Sequence, residues 1–371
     1  MHIQEKLEWG SLATPAPNKT EPVHNWFYYK EAFSKQLVMK VLDMSGTSEG
    51  QLVLDPFCGV GTTMLACKER GMDSVGFDAH PLAVFVSRVK LRDYRRVELL
   101  REMNRILESR FVKPRLRIKN RLMKRGFPKQ SLEEIVFYRD LIMQARNKDV
   151  RDFLLLGLMN VAMRCSWINK DGAVIKIKKK KNIPFPRKVL KNQFKRMLKD
   201  LDRIRFQKSR VRVDFGDARR LGLTDNLADF IITSPPYLNK REYESVFSIE
   251  QGLFLDMIGF GPYSDYIGSD IKELEKDSAK LLDVLGDETR LPKTAVVYFL
   301  DMFQAIEEMY RVCRPRARVA VVVGNGCFPS GVVDSDLILS KIAESVGFRA
   351  KRILVLNKRW CTKKRTKKVG I

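Results

Sequence analysis

The chain predicts an α/β fold: a doubly wound, mostly parallel sheet that carries a basic, mainly helical insertion. Three observations predict it. Two strand–turn–helix units follow one another between residues 51 and 91. The same alternation resumes after residue 206. Between the two stretches, apolar residues recur at helical rather than strand spacing, and the charge is strongly positive. With 371 residues, 44% of them hydrophobic, the chain can bury a full core.

The elements read as follows. Gln51–Leu54 is a short apolar strand that ends at Asp55-Pro56. The run Phe57-Cys58-Gly59-Val60-Gly61-Thr62-Thr63 is a glycine-rich turn, and Met64–Arg70 is a helix stopped by Gly71. Ser74–Phe77 is a second strand ending at Asp78, and Ala79–Leu91 a second helix with Pro81 in its first turn. Helices are then predicted over Val97–Arg110, Leu132–Arg146 and Asp149–Trp167, and Ala173–Lys178 alternates like a strand with one basic face. Lys188–Phe206 places Leu190, Phe194, Met197, Leu201 and Ile204 at steps of four and three between basic residues, an amphipathic helix whose apolar seam is core. Val211–Val213 and Ala228–Thr233 are strands that lead to Gly216-Asp217-Ala218 and to Ser234-Pro235-Pro236-Tyr237. Residues 257–295 read as a long excursion near the site. Val297–Val312 and Ser335–Val346 are helices, and Ala317–Gly324 and Arg349–Asn357 further strands.

The net charge of +25 is unevenly placed. Residues 91–200 hold 31 Lys and Arg against 11 Asp and Glu, and residues 351–371 hold nine against none. Concentration into two segments points to a polyanion, because each neutralised phosphate releases counterions and drives binding. A solvated charged face and an acidic membrane surface are the alternatives. The run Phe153–Met163 is too short to span a bilayer and reads as a buried helix. Met1–Glu8 is polar and unlike a secretory signal. A soluble, cytoplasmic protein with reduced thiols is therefore expected. Six scattered cysteines and three histidines show no metal-ligand spacing, so no metal is expected.

In open α/β sheets, ligands bind beyond the carboxyl ends of the strands. Four unusual segments stand at such ends: Asp55–Thr63, Asp78, Gly216–Ala218 and Ser234–Tyr237. Gly59 and Gly61 suit a turn that visits positive φ and lets a ligand approach the backbone. No Gly-Lys-Ser/Thr follows, which excludes a P-loop, and Met64 replaces the third glycine of a dinucleotide fingerprint. Asp78, 17 residues after Gly61, can accept hydrogen bonds from both hydroxyls of a ribose, and it can equally cap the helix that follows. The double proline of Ser234–Tyr237 stiffens the strand end. Its carbonyls, with the Ser234 hydroxyl, can accept from an exocyclic amine, and Tyr237 offers a ring for stacking on a base.

Asp55–Thr63 (DPFCGVGTT) together with Thr233–Tyr237 (TSPPY) resembles the N4-cytosine/N6-adenine amino methyltransferase family. The resemblance covers roughly residues 20–90 and 205–357. It implies a class I, Rossmann-like methyltransferase fold. S-adenosyl-L-methionine would be held by Asp55, Pro56, Phe57, Gly59, Gly61, Thr62 and Thr63, with Asp78 and Ala79 at the ribose. Gly216, Asp217 and Ala218 would face the adenine. Phe33, within the aromatic segment His24–Phe33, would cover the cofactor. Ser234, Pro235, Pro236 and Tyr237 would hold the target amine, and S-adenosyl-L-homocysteine would be the product. Asn239, Arg241 and Tyr243 follow closely and are candidates for the substrate side.

The resemblance divides the chain into a cofactor-covering segment (1–44), a catalytic core (45–91 and 206–357), a nucleic-acid-binding insertion (92–205) and a basic tail (358–371). The family fold usually ends in an antiparallel strand pair, for which little sequence remains after Asn357. Serine in the catalytic turn is typical of members acting on cytosine N4. Charge spread over helices, without a compact recognition module, favours structured RNA, and the look of archaeal members acting on ribosomal RNA cytidine points the same way. A DNA N4-cytosine or N6-adenine methyltransferase of a restriction system is the first alternative, and an inactive nucleic-acid-binding protein of the same fold the second.

Overall fold

The computed structural model describes residues 1–116, 120–171, 174–238, 243–255, 259, 267–268, 281, 283–286, 291–329 and 331–358. In chain order the strands are β1 (His2–Glu5), β2 (Leu52–Asp55), β3 (Asp73–Asp78), β4 (Ile168–Asp171), β5 (Val174–Ile177), β6 (Val211–Phe215), β7 (Ala228–Thr233), β8 (Cys313–Val321), β9 (Gly326–Phe328), β10 (Gly331–Val333) and β11 (Arg352–Val355). The helices are α1 (Lys35–Ser45), α2 (Thr62–Glu69), α3 (Pro81–Leu91), α4 (Arg96–Glu108), α5 (Arg121–Gly126), α6 (Lys129–Met143), α7 (Lys148–Arg164), α8 (Pro186–Arg203), α9 (Tyr243–Glu250), α10 (Lys293–Val312) and α11 (Ser335–Val346).

The main sheet has five parallel strands in the order β6-β3-β2-β7-β8. Its central strands β2 and β7 are mostly apolar and buried because both faces are covered, whereas the edge strands β6 and β8 carry exposed arginines. Leu54 and Ile231 pack on the side of α10 and α11. Their neighbours Val53, Phe230 and Ile232 pack on the side of α1 with Ala66 and Cys67 of α2. The chain leaves β2 in one direction through β3 to β6, and returns to the other side of β2 with β7. Strand order therefore reverses between β2 and β7, which opens a crevice beyond their carboxyl ends.

The insertion does not stand apart from this core. Trp26 and Phe27 of the N-terminal segment, Phe85 and Val89 of α3, and Phe153, Leu190 and Phe194 of the insertion all lie in one hydrophobic cluster. Trp26 meets Phe153 edge-on at 5.1 Å. Asp200 of α8 accepts from the Trp26 indole (3.1 Å) and from Asn25 (3.0 Å). Leu190, Phe194 and Met197 are fully buried along the seam of α8, as the spacing predicts. No helix of the described residues is long and apolar enough to cross a membrane.

Some expectations need correction. The strand predicted at 349–357 forms, as β11, but it pairs in parallel with β1 rather than extending the main sheet. No antiparallel strand joins that sheet among the described residues. Helices α1 and α5 and the β9–β10 hairpin were not predicted. Helix α5 and the two strands of the hairpin are short, whereas α1 carries a readable apolar face in Leu37, Val38 and Leu42 between its Ser34 cap and its Gly46 stop at φ +63°. Cys58, Cys67, Cys165 and Cys313 are buried free thiols, whereas Cys327 is disulfide-bonded, against the expectation of thiols throughout.

Candidate active site

The four segments read from the sequence converge on one pocket. Its wall contains Phe33, Asp55, Pro56, Phe57, Gly59, Thr62, Asp78, Ala79, Gly216, Asp217, Ala218, Ser234, Pro235, Pro236 and Tyr237. Gly61 and Thr63 stand behind the wall. Gly61 has φ +79°, and a Cβ there would come within 2.9 Å of the Ser87 hydroxyl. Thr63 is fully buried and donates to Asp55. Asn239 and Arg241 lie outside the described residues, as does the side chain of Tyr243.

Asp55 joins the two halves. Its carboxylate accepts from the Phe57 N–H (3.2 Å), the Thr63 hydroxyl (2.7 Å) and the Thr233 hydroxyl (2.6 Å). One residue thus ties the end of β2 to the start of α2 and to the residue before Ser234. Burial pushes its pKa up to about 6, against the pull of the Thr233, Thr63 and Phe57 donors. With most of its acceptor capacity used inside the protein, Asp55 acts mainly as a strut of the pocket.

Asp78 holds the glycine turn from the other side. It accepts from the Gly59 N–H and from the His80 N–H, both at 2.8 Å, and burial raises its pKa to about 6. It does not cap α3. That position is taken by His80, whose Nδ1 accepts from Leu82 N–H at 3.2 Å. On the α3 side, Ser87 donates to the Gly59 carbonyl at 2.7 Å. Asp217 is engaged by Arg219, whose guanidinium also reaches Asp301 at 2.9 Å.

The residues fit S-adenosylmethionine. Gly59 adopts φ +51° and Gly61 φ +79°, so the backbone of the turn lies bare. Helix α2 starts at Gly61 without a side-chain cap, which leaves its first N–H groups for a carboxylate. Asp78 retains acceptor capacity for ribose hydroxyls. At Gly216 a Cβ would meet the Phe77 ring at 2.8 Å, which keeps that wall thin. Cys58 lines the same pocket, but burial and then the Asp78 and Asp55 carboxylates raise its pKa well above the thiol range. It stays a thiol and not a nucleophile.

Sequence reasoning missed Tyr29, Glu31, Ala32, Val60, His80 and Ile267, which also line the pocket. Tyr29 lies in the aromatic segment from which only Phe33 was singled out. His80 carries a recoverable signal as a polar residue directly before a helix-opening proline. Ile267 lies in the excursion expected near the site.

A central parallel sheet with a glycine turn and a proline corner on adjacent strands defines a Rossmann-like methyltransferase fold. Residues 8–86, which include the cofactor turn, match the N6/N4 methyltransferase family model described as "DNA methylase". The chain is 24% identical to the type II methyltransferase M.BsoBI of Geobacillus stearothermophilus, over 97% of its own length and 85% of that protein. It is 26% identical to the type II methyltransferase M.AvaI of Nostoc sp., over 96% of its length and 85% of that protein. A shorter stretch of 91 residues, 24% of this chain and 17% of the other, is 36% identical to the type II methyltransferase M.MjaII of Methanocaldococcus jannaschii. Together these show a chain similar to the DNA methylase family over residues 8–86 and to type II methyltransferases along nearly its whole length, and the family likeness implies S-adenosylmethionine as the donor. They do not support the expected ribosomal RNA group: the matched family is one of DNA methylases, and M.BsoBI and M.AvaI, matched along nearly the whole chain, are type II methyltransferases. The basic insertion reports a polyanion, and phosphates alone do not distinguish RNA from DNA.

Proposed function

We propose that this protein transfers the methyl group of S-adenosylmethionine to N4 of cytosine in DNA, as a methyltransferase of restriction-modification type. The observation that carries the proposal is the shared pocket: Ser234–Tyr237 faces Asp78 and the glycine turn across the crevice between β2 and β7. The match to a DNA methylase family and the likeness to two type II methyltransferases along nearly the whole chain support DNA over RNA. The serine of the corner supports cytosine.

When bound, the cofactor supplies an electrophilic methyl group on a sulfonium. The chain's task is then positioning. The amine of cytosine is a poor nucleophile because its lone pair is delocalised into the ring. The Ser234 hydroxyl and the Pro235 carbonyl accept its two N–H bonds and favour a pyramidal nitrogen whose lone pair points into the pocket. Asp55 holds Thr233, and through it Ser234, in register with the glycine turn. Tyr237 stacks on the extruded base and offsets part of the few kcal/mol that leaving a duplex costs. Residues 1–44 cover the cofactor, 45–91 and 206–357 form the catalytic core, and 92–205 with the basic tail 358–371 bind the polymer.

The test is incubation with isotope-labelled S-adenosylmethionine and either genomic DNA or total RNA, followed by nucleoside mass spectrometry. Labelled N4-methyldeoxycytidine is expected. Label in N6-methyldeoxyadenosine would overturn the choice of base, and label confined to RNA would overturn the choice of polymer.

A further inference from the structure

A stack of side chains runs from the insertion to the glycine turn, and nothing in the methyl-transfer chemistry above uses it. Its outer end is the β4–β5 hairpin. Lys170 pairs with Ile175, and Ile168 with Ile177, so these four residues share the inner face. Asn169, Lys176 and Lys178 are exposed on the outer side. From the inner face, the Lys170 ammonium lies 4.2 Å from the centre of the Phe247 ring and donates to Glu250 at 2.5 Å. Both partners belong to α9, the helix that follows the proline corner, and Glu250 is only 2% exposed. Phe247 in turn stacks on Tyr29, with ring centres 5.3 Å apart and planes 12° from parallel. It also meets the ring of His80 edge-on at 5.7 Å. Tyr29 and His80 both line the cofactor pocket, and the Tyr29 ring lies 3.6 Å from where a Cβ on Gly59 would stand.

The geometry points to Lys170 as a positioning residue: by clamping Phe247 between the insertion hairpin and Glu250, it holds Tyr29 on the glycine turn, so that polymer seated on the hairpin tightens cofactor binding. This inference rests on the methyltransferase reading. A partly buried cation that donates to a buried carboxylate and lies over an aromatic face has a single preferred position, and a cation over a ring gains as water is withdrawn from it. Contact of a phosphate backbone with the outer face of the hairpin bears on the strand whose inner face carries Lys170. Coupling of this kind is reciprocal: the cofactor strengthens polymer binding by the same factor.

Calorimetric titration with S-adenosylhomocysteine, in the absence and presence of saturating sheared duplex DNA, tests the coupling in the full chain. In the wild type, DNA is expected to raise cofactor affinity by about fivefold or more, the lower end of ordinary coupling between sites. Lys170→Met alone would strand a buried Glu250 charge, so the informative variant is Lys170→Met/Glu250→Gln, which removes both charges together. It is expected to bind the cofactor more weakly, with an affinity that no longer depends on DNA, while its DNA affinity without cofactor stays within about twofold. Lys170→Arg keeps the cation over the ring and is expected to keep the coupling. A folded double variant with undiminished coupling, or a wild type whose cofactor affinity ignores DNA, overturns this inference alone. A wild type that binds no S-adenosylhomocysteine overturns the methyltransferase reading with it.

Discussion

Asp55→Asn probes how the two site segments are joined. The Asp55 carboxylate is 1% exposed and bridges Phe57, Thr63 and Thr233. Asparagine keeps its shape: the amide oxygen can accept from the Phe57 N–H and the Thr233 hydroxyl, and the amide nitrogen can donate to a Thr63 hydroxyl turned to accept. Only the charge is lost. In the folded protein burial raises the Asp55 pKa from 3.8 to about 6, a difference of about 3 kcal/mol between protonation states. The folded pKa lies above the unfolded one, so the native state holds its proton more tightly. The stability this confers is complete below about pH 4 and is lost as the pH rises through about 6. Asparagine does not titrate. From this group, the variant gains about 1 kcal/mol on the wild type at about pH 4.5 and about 3 kcal/mol at about pH 7.5. Urea unfolding at the two pH values measures the gain, and methyl transfer is expected to fall in the same variant because the strut loses its charge. A gain that does not grow with pH, or shrinks, would show that the three donors outweigh burial and that the ionised carboxylate stabilises the joint.

Other outcomes follow from the same geometry. Ser234→Ala and Tyr237→Ala each lower kcat by about 10² or more while cofactor affinity measured by calorimetry stays near wild type, because both face the amine and not the donor. Unchanged turnover in both variants would remove the site assignment. In the proposed site Asp78, whose pKa burial raises to about 6, would accept from the ribose hydroxyls through its ionised form. KM for S-adenosylmethionine is therefore flat above about pH 7 and rises by up to about tenfold for each pH unit below about 6; a KM independent of pH down to about 5 would refute that role. DNA retention weakens steeply between low and moderate salt if the insertion neutralises phosphates, and a flat salt dependence would assign its charge to solvation.

Much of the site was legible because its residues are constrained locally. A glycine turn after a strand advertises positive φ, and Gly59 and Gly61 adopt it. Consecutive prolines after an apolar run mark a strand end, and β7 stops at Thr233, directly before Ser234. The roles within the site were less legible. The resemblance makes Asp55 a cofactor residue, and it does line the pocket; nothing in the sequence signals that its oxygens also accept from two threonines, one of them 178 residues away. The cap of α3 fell to His80 and not to Asp78, because the Asp78 oxygens are drawn to two backbone N–H groups at the turn.

By itself the sequence determined the α/β class, the positions of the glycine turn and the proline corner, the amphipathic seam of α8 and the polycationic character of the insertion. Each rests on periodicity, backbone restriction or charge within a short window. Tertiary structure alone decided that β2 and β7 are neighbours, that β11 turns away to pair with β1, and that Tyr29, Lys170 and Phe247 meet in one stack beside the pocket. Those contacts join residues far apart in the chain. They are set by which apolar faces are buried against which, and no local pattern carries that choice.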